Sequence, residues 1–454
     1  MTNEVYIGID IATENVRAVA IDAAGISQVS ANAALAKVLP GSDKRLSQDP
    51  RSWISAVENV LGQIGKTLKD GGKKANAISI SATSGTFVIT NKKGEAIADA
   101  AMYNDGRSTS VLGRAEAIIA EANATGPFYL ANTPEFVIAN LSGVLLTEIE
   151  SDTSHSLKIG VDLENVAYTQ DAVNKAANLN LHLPKLTLPG AKLADLSLEM
   201  AMKLGFDQIP IYAGMTDGCT AQISAGGASG SVTSLGTTMV IKAVSNKNIK
   251  GSSFYSHLLP KNRYLAGGAS NIGGISYKNF SSDINNWNIK ASQFGPANLV
   301  CYPLPAIGER FPFLSPNMKA LKSGSATNTV EEFRAILEAI AFTERYSYEL
   351  LQSAGAQLSD QIFTVGGGGK SDLLSQIRAT VMNKPVVKMT NSGSDIGAAL
   401  LAYASVNSKN NDLAIELSQI NITQSKQFMP QSQEKDELER NYQRYLKLTA
   451  EYKS

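Results

Sequence analysis

The sequence predicts an α/β protein in which one plan is laid down twice. Three observations carry this. Short apolar runs alternate with amphipathic helical stretches along the whole chain. Each half opens on a pair of strands joined by a tip of small and hydroxylated residues, Asp10–Asn15 in the first half and Gly236–Thr238 in the second. A Gly/Ala/Ser stretch, Ala225–Ser229, marks the junction. The repeat is one of pattern rather than of residue identity.

In the first half, Val5–Ile9 and Val16–Ile21 are apolar runs of strand length, and Asp22–Gly25 is a turn. Asp49-Pro50 opens a helix, with Asp as cap and Pro at the first helical position. Trp53, Val57, Val60, Leu61 and Ile64 fall on one face of it. Ala77–Ser81 and Phe87–Thr90 are strands, separated by the polar turn Ala82–Gly85, and Asn91–Gly94 turns the chain again. The second half restarts with strands Val232–Leu235, Met239–Val244 and Tyr264–Ala266. A long helix spans Val330–Ala354. A capping box of Thr329 and Glu332 starts it, Phe333, Ile336, Leu337, Ile340 and Leu351 face its core, and Gly355 ends it. Ile362–Val365 is one more strand before a glycine run. Leu438, Tyr442, Tyr445, Thr449 and Tyr452 line an amphipathic C-terminal helix.

Composition narrows the function classes. Among 454 residues, 41 basic and 41 acidic side chains cancel, with no basic cluster of the kind nucleic acid needs. No apolar run has the length of a membrane span. Two distant cysteines, Cys219 and Cys301, make no disulfide framework. The N-terminus does not read as a signal peptide. These features fit a cytoplasmic enzyme; a small-molecule partner and a monomer or homodimer are further expectations that composition does not fix. His155, His182 and His257 are not spaced as metal ligands, and no Ser-His-Asp or Cys-His arrangement can be built from the spacing.

Phosphoryl transfer needs groups to hold phosphates, to anchor Mg2+ and to take a hydroxyl proton, and four segments offer candidates for these parts. In Asp10-Ile-Ala-Thr13-Glu-Asn15 a carboxylate ends a buried strand and a tight turn follows; taken alone, a polar hairpin turn explains it better. In Gly214-Met-Thr-Asp217-Gly218 an aspartate between glycines enters a helix. It suits an N-cap, and flanking glycines also let a substrate approach it. Leu235-Gly236-Thr237-Thr238 places a glycine and two hydroxyls at a hairpin tip, where they can receive a terminal phosphate; taken alone, an ordinary hairpin turn explains it better. Val365–Ser371 sets four glycines between strand and helix, where backbone can meet a flat or anionic ligand. It is not a P-loop, because the residue five before Gly369 is Thr364 rather than glycine.

The order of these segments resembles the FGGY family of carbohydrate kinases over nearly the whole chain. GIDIATENVRAVAID is similar to the family's first phosphate segment, and TSGTFVITNKKGEAIADAAMYNDGR to its sugar-side segment. AGMTDG, SLGTTMVIK, GERFPF, VGGGGKS and GSDIGAALLA follow in family order. SDTSHSLKIGVD, TSGT and GGASN are most similar to the D-ribulose (xylulose kinase-like) kinases of plants and cyanobacteria. The resemblance implies a two-lobed, actin-like (ribonuclease H-like) ATPase fold. It divides the chain into a sugar- and phosphate-side lobe, 1–225, a nucleotide-side lobe, 226–430, and a C-terminal helix, 431–454, packing back on the first lobe. It implies ATP and Mg2+, and a ketopentose substrate, D-ribulose or D-xylulose. Asp217 would be the catalytic base, and Asp10 would hold the sugar and, with Asp217, the metal. Thr13, Gly236 and Thr237 would face the phosphates, and Ser84 the sugar. Gly367 and Gly368 would pack on adenosine, with Ser371 and Leu374 beside the nucleotide.

The chain also departs from the family. Ala12 stands for the usual glycine of the first loop and Glu14 for a hydroxyl residue, and a carboxylate beside phosphates repels them unless it points away. Leu374 stands where tryptophan is common. Ser108–Ile138 is short, and a His-Gln-Ala-Asp segment is missing. These departures motivate the competing reading, a kinase-like sugar or nucleotide sensor with little turnover. A filament- or chaperone-type ATPase of the same superfamily fits less well, because it has no use for AGMTDG or the sugar-side segment.

Overall fold

The computed structural model of the protein describes residues 3–226, 230–259, 263–367, 371–389, 392–408 and 424–453. The chain forms two compact units. The first comprises Met1–Ser224, His257–Asn262 and Asn391–Ile422, and the second Ala225–Ser256, Arg263–Thr390 and Thr423–Ser454.

One six-stranded sheet of the first unit runs Ser27–Ala34, Asn15–Ile21, Glu4–Ile11, Lys74–Ala82, Pro210–Thr216, Lys192–Asp195. Its three opening strands are antiparallel. Lys74–Ala82 and Pro210–Thr216 then add in parallel, and Lys192–Asp195 closes the edge antiparallel. Six consecutive strands of the second unit's sheet repeat this order: Arg263–Ser270, Met239–Ser245, Ser231–Leu235, Ile362–Val365, Val386–Met389, Gln424–Phe428. Their directions repeat as well, with Ile362–Val365 and Val386–Met389 as the parallel pair. Both sheets therefore display one plan.

Glu4–Ile11 is buried from its second residue onward, the pattern of a strand covered on both faces. Side chains alternate along it. Ile7 and Ile9 join a core with Trp53, Val57, Val60, Leu61 and Ile64 of the Arg51–Asp70 helix. Tyr6 and Gly8 face the other way, toward the Ser394–Asn407 helix. Tyr6 packs edge-on to Tyr403 at 4.9 Å between ring centres. A Cβ on Gly8 would lie 2.0 Å from Asp395 O and 2.2 Å from Ala399 N. The Ser394–Asn407 helix, expected in the 226–430 lobe, thus belongs to the first unit, because only a glycine-faced strand admits it so closely.

The second unit is built around Thr329–Ala354, a helix buried nearly all round. Its cap is not the expected Thr329 and Glu332 pair. Asn328 accepts from Glu331 N at 3.0 Å, and the Glu331 carboxylate accepts from Thr327 N and Oγ1. The C-terminal helix, Lys435–Leu448, was expected to pack back on the first lobe; it lies instead in the core of the second unit. Leu438, Tyr442 and Tyr445 join that core, Tyr445 Oη lies 3.0 Å from Thr343 Oγ1, and buried Asn441 donates to Ala297 O. A fully buried ion pair, Arg378 with Glu344, ties the Asp372–Met382 helix to the long helix. Both cysteines are buried thiols. Among the described residues, no helix is long and apolar enough to cross a membrane.

Candidate active site

In an open sheet, ligands meet the carboxyl ends of the parallel strands, where loops and helix N-termini converge. In the first unit three parallel strands end together: Asp10 pairs with Ser81, and Thr216 with Ala82. This brings three of the sequence-predicted positions to one edge: Asp10, the Ala82–Gly85 turn that holds Ser84, and Asp217.

Asp10 is 1% exposed. Its Oδ2 accepts from Arg17 Nη2 at 2.6 Å, and its buried Oδ1 has no hydrogen-bond partner among the described residues. Burial raises its pKa from 3.8 to about 6. Arg17 opposes the shift, and the charges of Asp217 and Asp395 add to it. Arg17 escaped the sequence reading, although hairpin register could have found it, because it stands directly opposite Asp10. Asp395, at the start of the Ser394–Asn407 helix, also went unread.

The hairpin tip is Ala12–Glu14, since Asp10, Ile11 and Asn15 are strand residues. Thr13 is half-buried, and its carbonyl accepts from Gln48 Nε2 at 2.9 Å. Glu14 is exposed, so its carboxylate is solvated rather than turned into the loop.

Asp217 begins the Asp217–Ser224 helix directly after the Pro210–Thr216 strand, with no intervening loop. Its Oδ1 accepts from Gly218 N at 2.6 Å, and its carbonyl accepts from Ser394 Oγ at 3.0 Å. Its Oδ2 has no hydrogen-bond partner among the described residues. Gly218 is exposed, and nothing lies within 4 Å of a Cβ placed there, so the approach to the carboxylate is open.

Ser84 is half-buried, and its carbonyl accepts from Lys158 Nζ at 3.0 Å. Gly85 turns the chain with φ of 85°. A Cβ there would meet Lys158 Cδ at 3.1 Å and Arg114 Nη2 at 3.6 Å. Crowding by protein and then the Arg114 charge lower the pKa of Lys158. Two cations therefore flank the turn, and neither was read from the sequence. In the Asn-Asp-x-Arg motif, Asp105 is buried, pairs with Arg107 at 2.7 Å and accepts from Leu46 N.

In the second unit, Gly236 and Gly366 follow paired strands. Thr237 is exposed at its tip, and the tip is held by Gly274 N and Ile275 N, which donate to the carbonyls of Gly236 and Thr237. Gly366 requires glycine: its φ is 95°, and a Cβ would lie 2.5 Å from Leu235 O. Gly367 is exposed with nothing within 4 Å of a Cβ, a bare backbone face open to a flat ligand. Gly368 lies outside the described residues. Ser371 caps the Asp372–Met382 helix, accepting from Leu374 N at 3.1 Å and donating to Asn288 Oδ1. Leu374 is a correction. It is 0% exposed in the hydrophobic core, so its side chain has no surface to offer a nucleotide.

The histidines are accounted for by packing and pairing: His155 is buried against Asp152, His182 stacks on Tyr129, and His257 is buried. Among the described residues, no group of three or more His, Cys, Asp or Glu side chains could hold a metal ion. Mg2+ asks for less, one or two carboxylates with phosphates and water rather than a protein cage. The orphaned Oδ1 of Asp10 supplies one such oxygen.

The chain matches the FGGY family of carbohydrate kinases, N-terminal domain, over residues 5–126 and the C-terminal domain over residues 215–406. It is 25% identical over 443 residues to the xylulose kinase of Staphylococcus epidermidis, covering 88% of each chain. Among solved structures, xylulose kinase from Rhodospirillum rubrum superposes with a TM-score of 0.84 at 20% identity, covering 98% of both chains. Gluconate kinase from Lactobacillus acidophilus does so at 0.82 and 21%, covering 99% of this chain and 98% of that one. The fold is accordingly the two-domain, actin-like and ribonuclease H-like one.

Proposed function

Because the chain belongs to the FGGY family of carbohydrate kinases, whose phosphoryl donor is ATP, we propose that it phosphorylates a hydroxyl of a ketopentose with Asp217 as general base. The observation that carries this reading is the arrival of Asp10, the Ser84 turn and Asp217 at the ends of three adjacent parallel strands. D-xylulose is the first candidate, since curated relatives matched over most of the chain are xylulose kinases. D-ribulose is the second, on the SDTSHSLKIGVD, TSGT and GGASN segments.

In this reading the Ser84 turn and Lys158 orient the sugar, and the unpartnered Oδ2 of Asp217 takes the proton of the attacking hydroxyl. The candidates for phosphate contact, through hydroxyls and backbone amides, are Thr13 in the first unit and Gly236 and Thr237 in the second. The bare backbone at Gly367, with Gly368 next in sequence, takes adenosine. Mg2+ would be held by Asp10, with Asp217 near it, and would neutralise phosphate charge. Arg17 holds Asp10 in place and carries a second positive charge to the same edge. The exposure of Glu14 weakens one of the arguments for a sensor without turnover, that of a carboxylate beside the phosphates.

The test is ADP release from ATP and Mg2+ across D-xylulose, D-ribulose, L-ribulose, D-gluconate, glycerol and no sugar. Release with one ketopentose well above the blank is expected. A flat response from protein that binds ATP would sink the reading and favour the sensor.

A further inference from the structure

A buried polar chain runs from the start of the Thr153–Gly160 helix to the Met215–Thr216 peptide, one residue ahead of Asp217. Thr216 N donates to Ser154 Oγ at 3.0 Å. Ser154 Oγ–H donates to Asp152 Oδ1, and Asp152 Oδ2 pairs with His155 Nδ1. Ser154, Asp152 and His155 are all buried. Burial works against a charge on His155, yet Asp152, with Glu135 behind it, raises its pKa above the ordinary value.

The strand needs this support. Its register against Lys74–Ala82 shifts between Ala213 and Thr216. At that point Gly214 passes so close that a Cβ would lie 2.1 Å from Ile80 O. Thr216 N draws its acceptor from a side chain, and a buried amide left without one is destabilising. A hydroxyl has one proton and two lone pairs. With its proton committed to Asp152, Ser154 must present a lone pair, the form Thr216 N requires. A helix cap alone would need neither this contact nor the histidine, since Asp152 already accepts from Ser154 N and His155 N.

We propose that Ser154, with its hydroxyl locked by the Asp152–His155 pair, is a positioning residue that fixes the Met215–Thr216 peptide, one residue ahead of Asp217, and so aims the Asp217 carboxylate. This rests on the assignment of Asp217 as base. The test compares the full chain with Ser154→Ala, Ser154→Thr and, as a control, Ser156→Ala. Ser156 is equally buried but bonds Ser151, Asn132 and Tyr168 instead. Two readouts are taken: steady-state kinetics, and hydrogen exchange of the peptide covering residues 210–220 by mass spectrometry.

Expected for Ser154→Ala are a fall in kcat of about tenfold or more, since a positioned base supplies roughly 10²–10⁴-fold, KM for sugar and ATP held within about twofold, and faster exchange at that peptide. Ser154→Thr restores most of kcat, and Ser156→Ala changes neither readout. Unchanged exchange in Ser154→Ala overturns the proposal, as does faster exchange with kcat intact. If the wild-type chain shows no sugar-dependent ADP release, the kinase reading fails, and exchange alone then decides whether Ser154 holds this peptide.

Discussion

Asp10 and Asp217 are both aspartates at strand ends, yet their surroundings give them different work. Asp217 is half-buried, with one oxygen held by Gly218 N and an open approach. Its substitution by asparagine removes the base and little else, so kcat should fall by about 10²–10⁴-fold while ATP still binds. Near-normal sugar-dependent turnover in Asp217→Asn would refute its role. Asp10 is sealed from solvent, and its pKa rises from 3.8 to about 6. The sign follows from linkage. An acid whose folded pKa exceeds its unfolded value costs stability as pH rises past the unfolded value, and the full cost is present above the folded one. Asp10→Asn should therefore gain stability over wild type as pH rises from 4 to 7, by up to roughly 3 kcal/mol, while losing turnover. Thermal unfolding of both proteins at pH 4.5 and 7.5 checks this; an equal difference at the two pH values would refute it.

At the scale of elements, the Thr153–Gly160 helix serves two neighbours. Its first turn holds Thr216, and its last turn brings Lys158 to the carbonyl of Ser84. A hydrogen bond from a charged donor contributes about 1.5–3 kcal/mol. Lys158→Met should loosen the Ser84 turn and raise the sugar KM by roughly 10–100-fold, leaving the ATP KM within about twofold. A matching rise in the ATP KM would point to general damage instead. The sequence made such elements legible to different degrees. Phe87–Thr90 and Ile362–Val365 were read to the residue, because apolar runs bounded by turn residues have few alternatives. The cap at Asn328 was missed by one residue, because three consecutive polar residues compete there and only the carboxylate of Glu331, bent back to Thr327, decides. Asp10, Asp217 and the Ser84 turn stood out because glycines and turn residues surround them. Arg17, Lys158 and Ser154 did not, since each acts across a contact between segments far apart or opposed in register. Leu374 was misplaced because helix phase, set by the Ser371 cap, turns it into the core.

The whole chain does not divide where its composition shifts. The Gly/Ala/Ser junction suggested a cut near 225, but the first unit takes back Asn391–Ile422 and the second takes back the C-terminus. The reason lies in small residues that permit close approach. Gly8 admits the backbone of Asp395 and Ala399, and a Cβ on Gly397 would lie 1.8 Å from Thr220 O. The Ser394–Asn407 helix is thus wedged against the Glu4–Ile11 strand and the Asp217–Ser224 helix, and it contributes Leu400, Leu401 and Ala398 to the buried interior. A fragment ending at residue 225 would leave that face of the sheet bare, an exposed apolar surface of the kind that drives association. It would also lose Ser394 Oγ, which donates to the carbonyl of Asp217, and Gly393 N, which donates to Ser224 Oγ. Fragment 1–225 should therefore keep much of its far-ultraviolet circular dichroism while losing near-ultraviolet signal and binding a hydrophobic dye, the signature of lost side-chain packing. Gly8→Ala in the full chain should lower the unfolding midpoint sharply for the same reason, because backbone on both sides leaves its methyl nowhere to go. A fragment with native near-ultraviolet signal and no dye binding would mean that the first unit is complete without its returning helix.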